Sequence, residues 1–499
     1  MKKSDKKPTA PPKEIKKTPS PQILIPTLLV IVLIFALASK MDAVRNKPFN
    51  TYDESIYDYL GTQLKHEPFN YSPSKFYQSR AKQFTDPVER ERFRRYVDVP
   101  LFKHPPLFCY LIAVSKTLCG DERIASSYVS LFFGIATIAI IYFLSKNLWG
   151  PPWGLVAAFF MAIEPVYWLC SQKIWIETTV GFFIYLGLLF LVMGEKAKGF
   201  LIVSGTSLGL ALLCKYVAIL AIIPIYLVLL FTNTISDRKM LALYVLLPFI
   251  VGLPWLAWNY KVYGSEWFVS LVKINSSSSV GTGGFNFILK FVLRAAVPAL
   301  SLVLLLAIKC FLKRLSDTLS AIARRYFLSP LMRNISFAVA AALTLALVVL
   351  SRTWIVKSLA WTHLVKSVPS MGAFNNHPPY FYFYRLVEAS LLFLFGYLSV
   401  AFFKKWNKWI FVLALIPVSL FSFFGLFGYY ESRYVIIATP ALMMLAAYSI
   451  RELTALFMGR PGWARTFIVP LILMLVLYAV AKTVYCDFSV MVKNNFVFF

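Results

Sequence analysis

Residues 124–144 read IASSYVSLFFGIATIAIIYFL, a run without charged side chains that follows Arg123 and is closely followed by Lys146. About 20 consecutive apolar residues let a helix cross the hydrocarbon core of a bilayer, so this run predicts a transmembrane helix. Similar runs recur along most of the 499 residues, of which 59% are hydrophobic and 15% charged, with a mean hydropathy of +0.66. This composition excludes a set of soluble domains and predicts an integral, multi-pass membrane protein.

The apolar runs predict an all-α polytopic fold with about thirteen transmembrane helices, one more or one fewer being compatible with the pattern. The predicted spans lie near residues 22–39, 124–144, 152–170, 178–194, 199–214, 216–231, 240–258, 287–309, 332–350, 380–403, 409–428, 433–450 and 466–482. The fifth and sixth of these are short enough to form one broken hairpin.

The charged residues between the spans predict their orientation, because cytoplasmic connections are enriched in Lys and Arg. The chain holds 51 Lys and Arg against 23 Asp and Glu, a formal net charge of +28. With the N-terminus in the cytoplasm, every second connection is cytoplasmic, and each carries basic residues, as at Lys146 and from Lys313 to Arg333. Residues 1–21 hold seven Lys and several Pro, a composition typical of a disordered tail, which this orientation leaves in the cytoplasm.

Residues 40–123 form the longest polar region and are predicted to be an external loop, since they hold 11 of the 23 acidic residues and 14 basic ones. Within it, residues 101–119 are apolar enough to resemble a span, but a span there would invert every later connection. We therefore predict an amphipathic helix on the outer membrane face, starting at His104-Pro105-Pro106, where Pro is tolerated. A second amphipathic helix is predicted to begin at Asp53.

Several classes of site are not indicated by the sequence. The six Cys include no CxxC pair, and the four His are isolated, without metal-ligand spacing. The chain has no Walker loop, no GxGxxG motif and no Asp-x-Asp pair. A divalent metal is compatible with the sequence but is not indicated by it, and the sequence predicts no other cofactor and no nucleotide or nucleic acid as a partner.

The first candidate catalytic residues are two acidic side chains, Asp53 and Glu54. They follow the first span in the run Asn50-Thr51-Tyr52-Asp53-Glu54-Ser55. A carboxylate near a helix N-terminus at the membrane surface can act as a general base on a hydroxyl or amine acceptor. The alternative interpretation is that Asp53 only caps a helix.

Basic residues at one predicted level are the second group of candidates. Arg123 opens the second span, Lys173 and Glu177 lie between the third and fourth, and Lys215 lies between the fifth and sixth. Placing one such cation at mid-bilayer costs about 2.5 to 3.5 kcal/mol, so several at one level predict a bound phosphate. The alternatives are snorkelling to lipid phosphates and, for Lys173 with Glu177, an ordinary i, i+4 pair.

These residues belong to a longer succession of motifs. In chain order they are Tyr52-Asp53-Glu54, His104-Pro105-Pro106-Leu107, Glu122-Arg123-Ile124-Ala125-Ser126, Glu164, Ser171-Gln172-Lys173, Glu177, Leu213-Cys214-Lys215, Pro254-Trp255 and Glu431-Ser432-Arg433-Tyr434. The succession resembles the protein O-mannosyltransferases and the related aminoarabinose (lipid A) transferases, which are GT-C glycosyltransferases. The resemblance is strong over residues 50–260 and thin beyond them.

The resemblance implies a GT-C fold and a role for each matching residue. Asp53 matches the acidic residue taken to be the catalytic base, and Glu54 matches its neighbour. The residues that match substrate-binding positions are His104, Arg123, Lys173, Glu177, Lys215 and Arg433. Lys173 and Glu177 depart from the family, which usually has Arg and Asp at these two positions.

The resemblance also implies a division of the chain and a reaction. Residues 22–260 would form the catalytic module, and residues 261–499 a C-terminal transmembrane module with the carrier and acceptor cavity. The reaction would move a sugar from a polyprenyl-phosphate carrier to a protein, lipid or glycan acceptor on the external face, with inversion. A transporter or flippase of a lipid-linked or anionic solute is the alternative, which predicts mid-membrane polar residues and inverted repeats.

Overall fold

A computed structural model describes residues 21–46, 51–83, 97, 99–195, 197–266, 381–427, 432–458 and 462–493. Within these ranges the chain is predominantly helical and contains no β-strand. The predicted all-α fold is thereby confirmed for this part of the protein.

The described residues form sixteen α-helices, numbered here in chain order. They are α1 (Pro21–Asn46), α2 (Tyr52–His66), α3 (Ser74–Gln83), α4 (Leu107–Cys119), α5 (Arg123–Trp149), α6 (Pro151–Ala162), α7 (Pro165–Cys170), α8 (Glu177–Gly194), α9 (Gly199–Cys214), α10 (Ile219–Thr232), α11 (Arg238–Tyr263), α12 (Phe381–Ala389), α13 (Leu392–Leu398), α14 (Lys408–Phe427), α15 (Thr439–Met458) and α16 (Gly462–Lys493). Short 3-10 helices occupy Tyr216–Ala218, Gly264–Glu266, Ser399–Lys405 and Ser432–Ala438.

Long apolar helices make this an integral membrane protein. Six candidate spans are long and apolar enough to cross a bilayer among the described residues: Ile23–Met41, Arg123–Trp149, Glu177–Gly194, Arg238–Glu266, Lys408–Gly425 and Arg433–Met458. Shorter apolar helices accompany them, including α6, α9 and α10. The predicted total of about thirteen spans stays a prediction, because residues 287–309 and 332–350 lie outside the described ranges, as does most of the predicted tail.

The bundle core is apolar and forms where neighbouring helices pack. α8 packs against α9 and α5, α5 also packs against α6, and α9 against α11, while α13 and α14 pack against α15. Fully buried side chains such as Ile141, Ile184 and Leu208 fill the space between them. Outer faces of α1, α11 and α16 expose large apolar side chains such as Ile31, Leu246 and Leu473, as helices surrounded by lipid do.

Two predicted spans are broken into shorter helices. Residues 152–170 divide into α6 and α7, because the buried Glu164 carboxylate accepts hydrogen bonds from the Val166 and Tyr167 N–H groups and starts a new helix at Pro165. Of the predicted span 380–403, residues 381–403 divide into α12, α13 and the start of a 3-10 helix.

Helices occupy both places where amphipathic helices were predicted between the first two spans, and their position on the outer membrane face stays a prediction. α2 begins at Tyr52, one residue before the predicted start, and α4 follows directly after Pro106. The two helices pack closely at Gly61, where an added Cβ would lie 2.2 Å from Ile112 Cγ2. This contact fixes α2, which carries the first candidate residues, against α4 and the bundle.

Candidate active site

Five segments meet at one end of the bundle and bring the candidate residues together. They are the first turn of α2, the segment before α4, residues 171–176 between α7 and α8, the α9–α10 connection and the 3-10 helix before α15. We call Asp53, Glu177, Lys215 and Arg433 the ion-pair cluster, because two salt bridges join them in pairs.

Asp53 is bound by a cation from the distant end of the chain. Arg433 Nη1 donates a hydrogen bond to Asp53 Oδ2 at 2.6 Å, and the Asp53 side chain remains 37% exposed. Burial raises the pKa of the Asp53 carboxyl, but the positive charges of Arg433, Lys103 and Lys215 more than offset this. The pKa therefore lies below its usual value of 3.8, and Asp53 is ionised at neutral pH.

Asp53 is not the cap of its helix, so the alternative interpretation of this residue is wrong. Thr51 is the N-cap of α2: its hydroxyl accepts a hydrogen bond from the Glu54 N–H, and Glu54 Oε2 accepts one from the Thr51 N–H. This reciprocal arrangement is a capping box. It leaves the Asp53 carboxylate available to the ion-pair cluster.

Arg433 lies between two aromatic rings. Its Cζ atom is 5.1 Å from the centroid of the Trp175 ring and 5.2 Å from that of Tyr434. A guanidinium over a ring face is attracted by the ring quadrupole. The two rings therefore hold the Arg433 charge next to Asp53.

The second salt bridge of the cluster joins Lys215 to Glu177. Lys215 Nζ lies 2.7 Å from Glu177 Oε1, and their side chains are only 14% and 5% exposed. Lys215 Nζ is also 5.7 Å from the Tyr434 ring, so both cations share this ring. The alternative of an i, i+4 pair between Lys173 and Glu177 is wrong, because Glu177 pairs with Lys215.

Glu54, Lys173 and Arg123 form a separate group beside the cluster. Lys173 Nζ lies 3.7 Å from Glu54 Oε2, both side chains being buried, and Glu54 Oε1 also accepts a hydrogen bond from the Ile174 N–H at 3.4 Å. Arg123, at the start of α5, is close enough to Glu54 to interact electrostatically. The structure thus places Glu54 in contacts that fix residues 173–175 against α2, and its predicted catalytic role stays a prediction.

His104 lies beside the ion-pair cluster as a neutral imidazole. Burial, reinforced by the positive charges of Lys103, Lys215 and Arg433, lowers the pKa of His104 well below its usual 6.5. The ring packs against Phe102 at 5.4 Å, and its buried Nδ1 has no hydrogen-bond partner among the described residues. A neutral ring nitrogen here can bind a substrate hydroxyl.

The residues missed by sequence reasoning are chiefly aromatic. Trp175 and Tyr434 flank Arg433, and Tyr57 lies near enough to Asp53 and Glu177 for both carboxylates to raise the pKa of its hydroxyl further above 10, after burial as the main cause. Tyr434 stands inside a motif already quoted. Trp175 gave no signal, because a buried Trp in an apolar chain is ordinary.

Among the described residues, no three His, Cys, Asp or Glu side chains lie together. The arrangement that is present joins an ionised, partly exposed carboxylate to two cations at the end of a membrane bundle. Such a site can accept a proton from a nucleophile at Asp53 and stabilise an anion at Arg433 and Lys215.

Comparisons with known proteins support the fold. Residues 103–258 match the family model described as dolichyl-phosphate-mannose-protein mannosyltransferase. A comparison with curated proteins finds no significant match.

Solved structures with the same fold come from an archaeon and a bacterium. The oligosaccharyltransferase AglB from Archaeoglobus fulgidus, in complex with an inhibitory peptide and a dolichol-phosphate, matches 93% of this chain with a TM-score of 0.50 and 17% identity. ArnT from Cupriavidus metallidurans matches 93% in the apo state, with a TM-score of 0.51 and 12% identity, and 94% when bound to undecaprenyl phosphate, with a TM-score of 0.50 and the same identity.

The matched part is 55% of the archaeal chain and 75% of ArnT, so this chain spans about half the length of the archaeal protein. These similarities confirm the GT-C fold that the sequence motifs implied.

Proposed function

We propose that this protein is a membrane glycosyltransferase that moves a sugar from a polyprenyl-phosphate carrier to an acceptor at the ion-pair cluster, on the external face. One observation carries the proposal: the ionised Asp53 carboxylate lies 2.6 Å from Arg433, which shares an aromatic ring with Lys215. A base and two cations are thereby held within one site.

The reaction needs a base at the acceptor and positive charge at the departing phosphate. Asp53 accepts the proton of an acceptor hydroxyl or amine as the acceptor atom bonds to the anomeric carbon. The bond between that carbon and the phosphate oxygen breaks, and its electron pair leaves with the polyprenyl phosphate. One carboxylate suffices, because the departing phosphate needs no proton, and attack opposite to it inverts the anomeric configuration.

Arg433 and Lys215 stabilise the charge that grows on the departing phosphate. Such charge stabilisation accelerates a reaction most when the donors are already in place before it begins. Both cations are held by carboxylates, Arg433 by Asp53 and Lys215 by Glu177. The carrier phosphate would share or displace these carboxylates.

The lipid carrier is supported by the relatives in the same fold. The archaeal oligosaccharyltransferase holds a dolichol-phosphate and ArnT an undecaprenyl phosphate. The partial family match names a dolichyl-phosphate sugar as its donor. The acceptor can be a protein, a lipid or a glycan, because a base such as Asp53 serves any hydroxyl or amine.

The test compares sugar release by the purified protein in lipid, using a panel of labelled polyprenyl-phosphate sugars with and without acceptors. Removing a general base typically slows a reaction about 10² to 10⁴-fold, so Asp53→Asn is expected to reduce acceptor-dependent release by that factor. The matched control is Asp121→Asn. Asp121 forms a 2.6 Å salt bridge with Lys65 but lies outside the ion-pair cluster, and its loss should leave release unchanged.

Equal release by wild type and Asp53→Asn would remove Asp53 from the mechanism. Saturable binding of a donor without transfer to any acceptor would instead favour a transporter or flippase.

A further inference from the structure

We infer that Trp175 is a positioning residue that holds the Arg433 side chain next to the first turn of α2, which carries Asp53. The inference rests on the proposed function and deepens it. None of the motifs quoted above contains this tryptophan, which lies between Lys173 and Glu177 in the connection from α7 to α8.

Trp175 is held against the bundle by contacts other than Arg433. Its side chain is buried, and its backbone carbonyl accepts a hydrogen bond from the Ser130 hydroxyl of α5 at 3.0 Å. The backbone N–H of Trp175 donates a hydrogen bond to the Lys173 carbonyl at 2.7 Å. The ring therefore has a defined place that does not depend on Arg433.

The indole N–H joins Trp175 to α2. It donates a hydrogen bond to Thr51 Oγ1 at 3.2 Å. The Thr51 hydroxyl also accepts the Glu54 N–H at 3.4 Å and lies 3.0 Å from Glu54 Oε2, to which it donates. One proton and two lone pairs are all that a hydroxyl offers, so Trp175 completes the hydrogen bonding of the helix cap.

The ring face joins Trp175 to Arg433, whose Cζ atom lies 5.1 Å from its centroid. The contacts thus form a closed circuit. It runs from Thr51 along the chain to Asp53, then to Arg433, to Trp175 and back to Thr51. The Trp175 side chain thereby positions both the first turn of α2, which carries Asp53, and the Arg433 guanidinium. Tyr434 contacts Arg433 on its own segment and cannot relate it to α2.

The test uses the protonation of Asp53, which can be measured without a sugar donor. The groups facing Asp53 are Arg433, Lys103 and Lys215, whose charges favour its ionised form, and the Tyr57 hydroxyl on its own helix. Labelling of a carboxyl by a water-soluble carbodiimide and an amine slows as the carboxyl ionises, and mass spectrometry of peptides reports labelling of the partly exposed Asp53. The midpoint of labelling against pH is compared in wild type, Trp175→Leu and Trp175→Phe.

In Trp175→Leu, Arg433 loses its fixed place, so the labelling midpoint is expected to move to higher pH and transfer to slow about tenfold, as for loss of a buried cation–π contact. Trp175→Phe keeps a ring but loses the N–H, so it should give a smaller shift in the same direction. The control is Trp168→Leu, which removes a buried Trp whose indole bonds to Ser39 instead, and which should leave the midpoint unchanged.

An unchanged midpoint in Trp175→Leu would overturn the inference, as would an equal shift in Trp168→Leu. If Trp175→Leu does not fold, Trp175→Phe decides, and a wild-type midpoint and wild-type transfer rate in that variant would refute the role. Failure of the proposed function shows differently, as an absence of transfer by the wild type with the labelling result intact.

Discussion

Asp53 and Arg433 are 380 positions apart in the chain, yet Oδ2 of one lies 2.6 Å from Nη1 of the other. The salt bridge joins the first turn of α2 to the 3-10 helix before α15. Together with Lys103 and Lys215, Arg433 lowers the pKa of the proposed base.

Replacing Arg433 by Met should impair transfer and change its dependence on pH. Arg433 lowers the pKa of Asp53, so its removal raises that pKa, and the acid limb of the rate profile moves to higher pH. Loss of a preorganised positive group typically lowers kcat about 10² to 10³-fold. The measurement is the pH profile of sugar transfer for wild type and Arg433→Met, and coinciding acid limbs would contradict the prediction.

Variants of Lys215 and Glu177 should change the stability and the transfer rate of the protein to different extents. Removing one member of a buried ion pair costs about 3 to 5 kcal/mol, so Lys215→Met should lower the free energy of unfolding by about that amount. The double variant Lys215→Met with Glu177→Leu should recover most of the stability, because no unpaired charge remains. Its transfer rate should stay low, since the cation is still missing, and recovery of both properties would show that Lys215 has only a structural role.

His104 should make the stability depend on pH in the mildly acidic range. Its pKa is well below 6.5 in the folded protein, so below pH 6.5 the unfolded chain binds the extra proton first. The contribution of neutral His104 to the free energy of unfolding is therefore fully present above pH 6.5. It falls as the pH drops from 6.5 towards the pKa of His104 in the folded protein, by at most about 1.4 kcal/mol per pH unit. Unfolding measured against pH should show this slope in wild type and a shallower one in His104→Asn.

Gly61→Ala should loosen the contact between α2 and α4. The new Cβ would lie 2.2 Å from Ile112 Cγ2, and overpacking of this kind costs about 1 to 3 kcal/mol. The buried thiol of Cys109, whose pKa burial raises to about 12, reports the change through faster labelling by a maleimide. Gly252→Ala in α11 is the matched control, because an added Cβ there meets no atom within 4 Å.

The helical spans could be predicted from the sequence because their length and apolarity are local properties. The starts of α5, α8 and α9 fall within one residue of the predicted ones. The break at Glu164 was also readable, as a carboxylate followed by Pro165, but an apolar run on both sides concealed it.

The partners within the site could not be predicted, because pairing across hundreds of residues leaves no local pattern. Lys173 and Glu177 have helical spacing, but α8 begins at Glu177, so Lys173 lies in the preceding turn and reaches Glu54 instead. The Thr51-x-x-Glu54 pattern did signal a capping box, and it would have excluded Asp53 as the cap.

The position of Arg433 late in the chain has a consequence for biosynthesis. A ribosome releases α2 and its carboxylate long before the segment that supplies the counter-charge, and the helices of both regions must enter the membrane before the two can meet. Until then Asp53 lacks the cation with which it pairs. The proposed catalytic site is therefore assembled at a late step of membrane insertion. Truncated chains that end before residue 433 would contain Asp53 without Arg433.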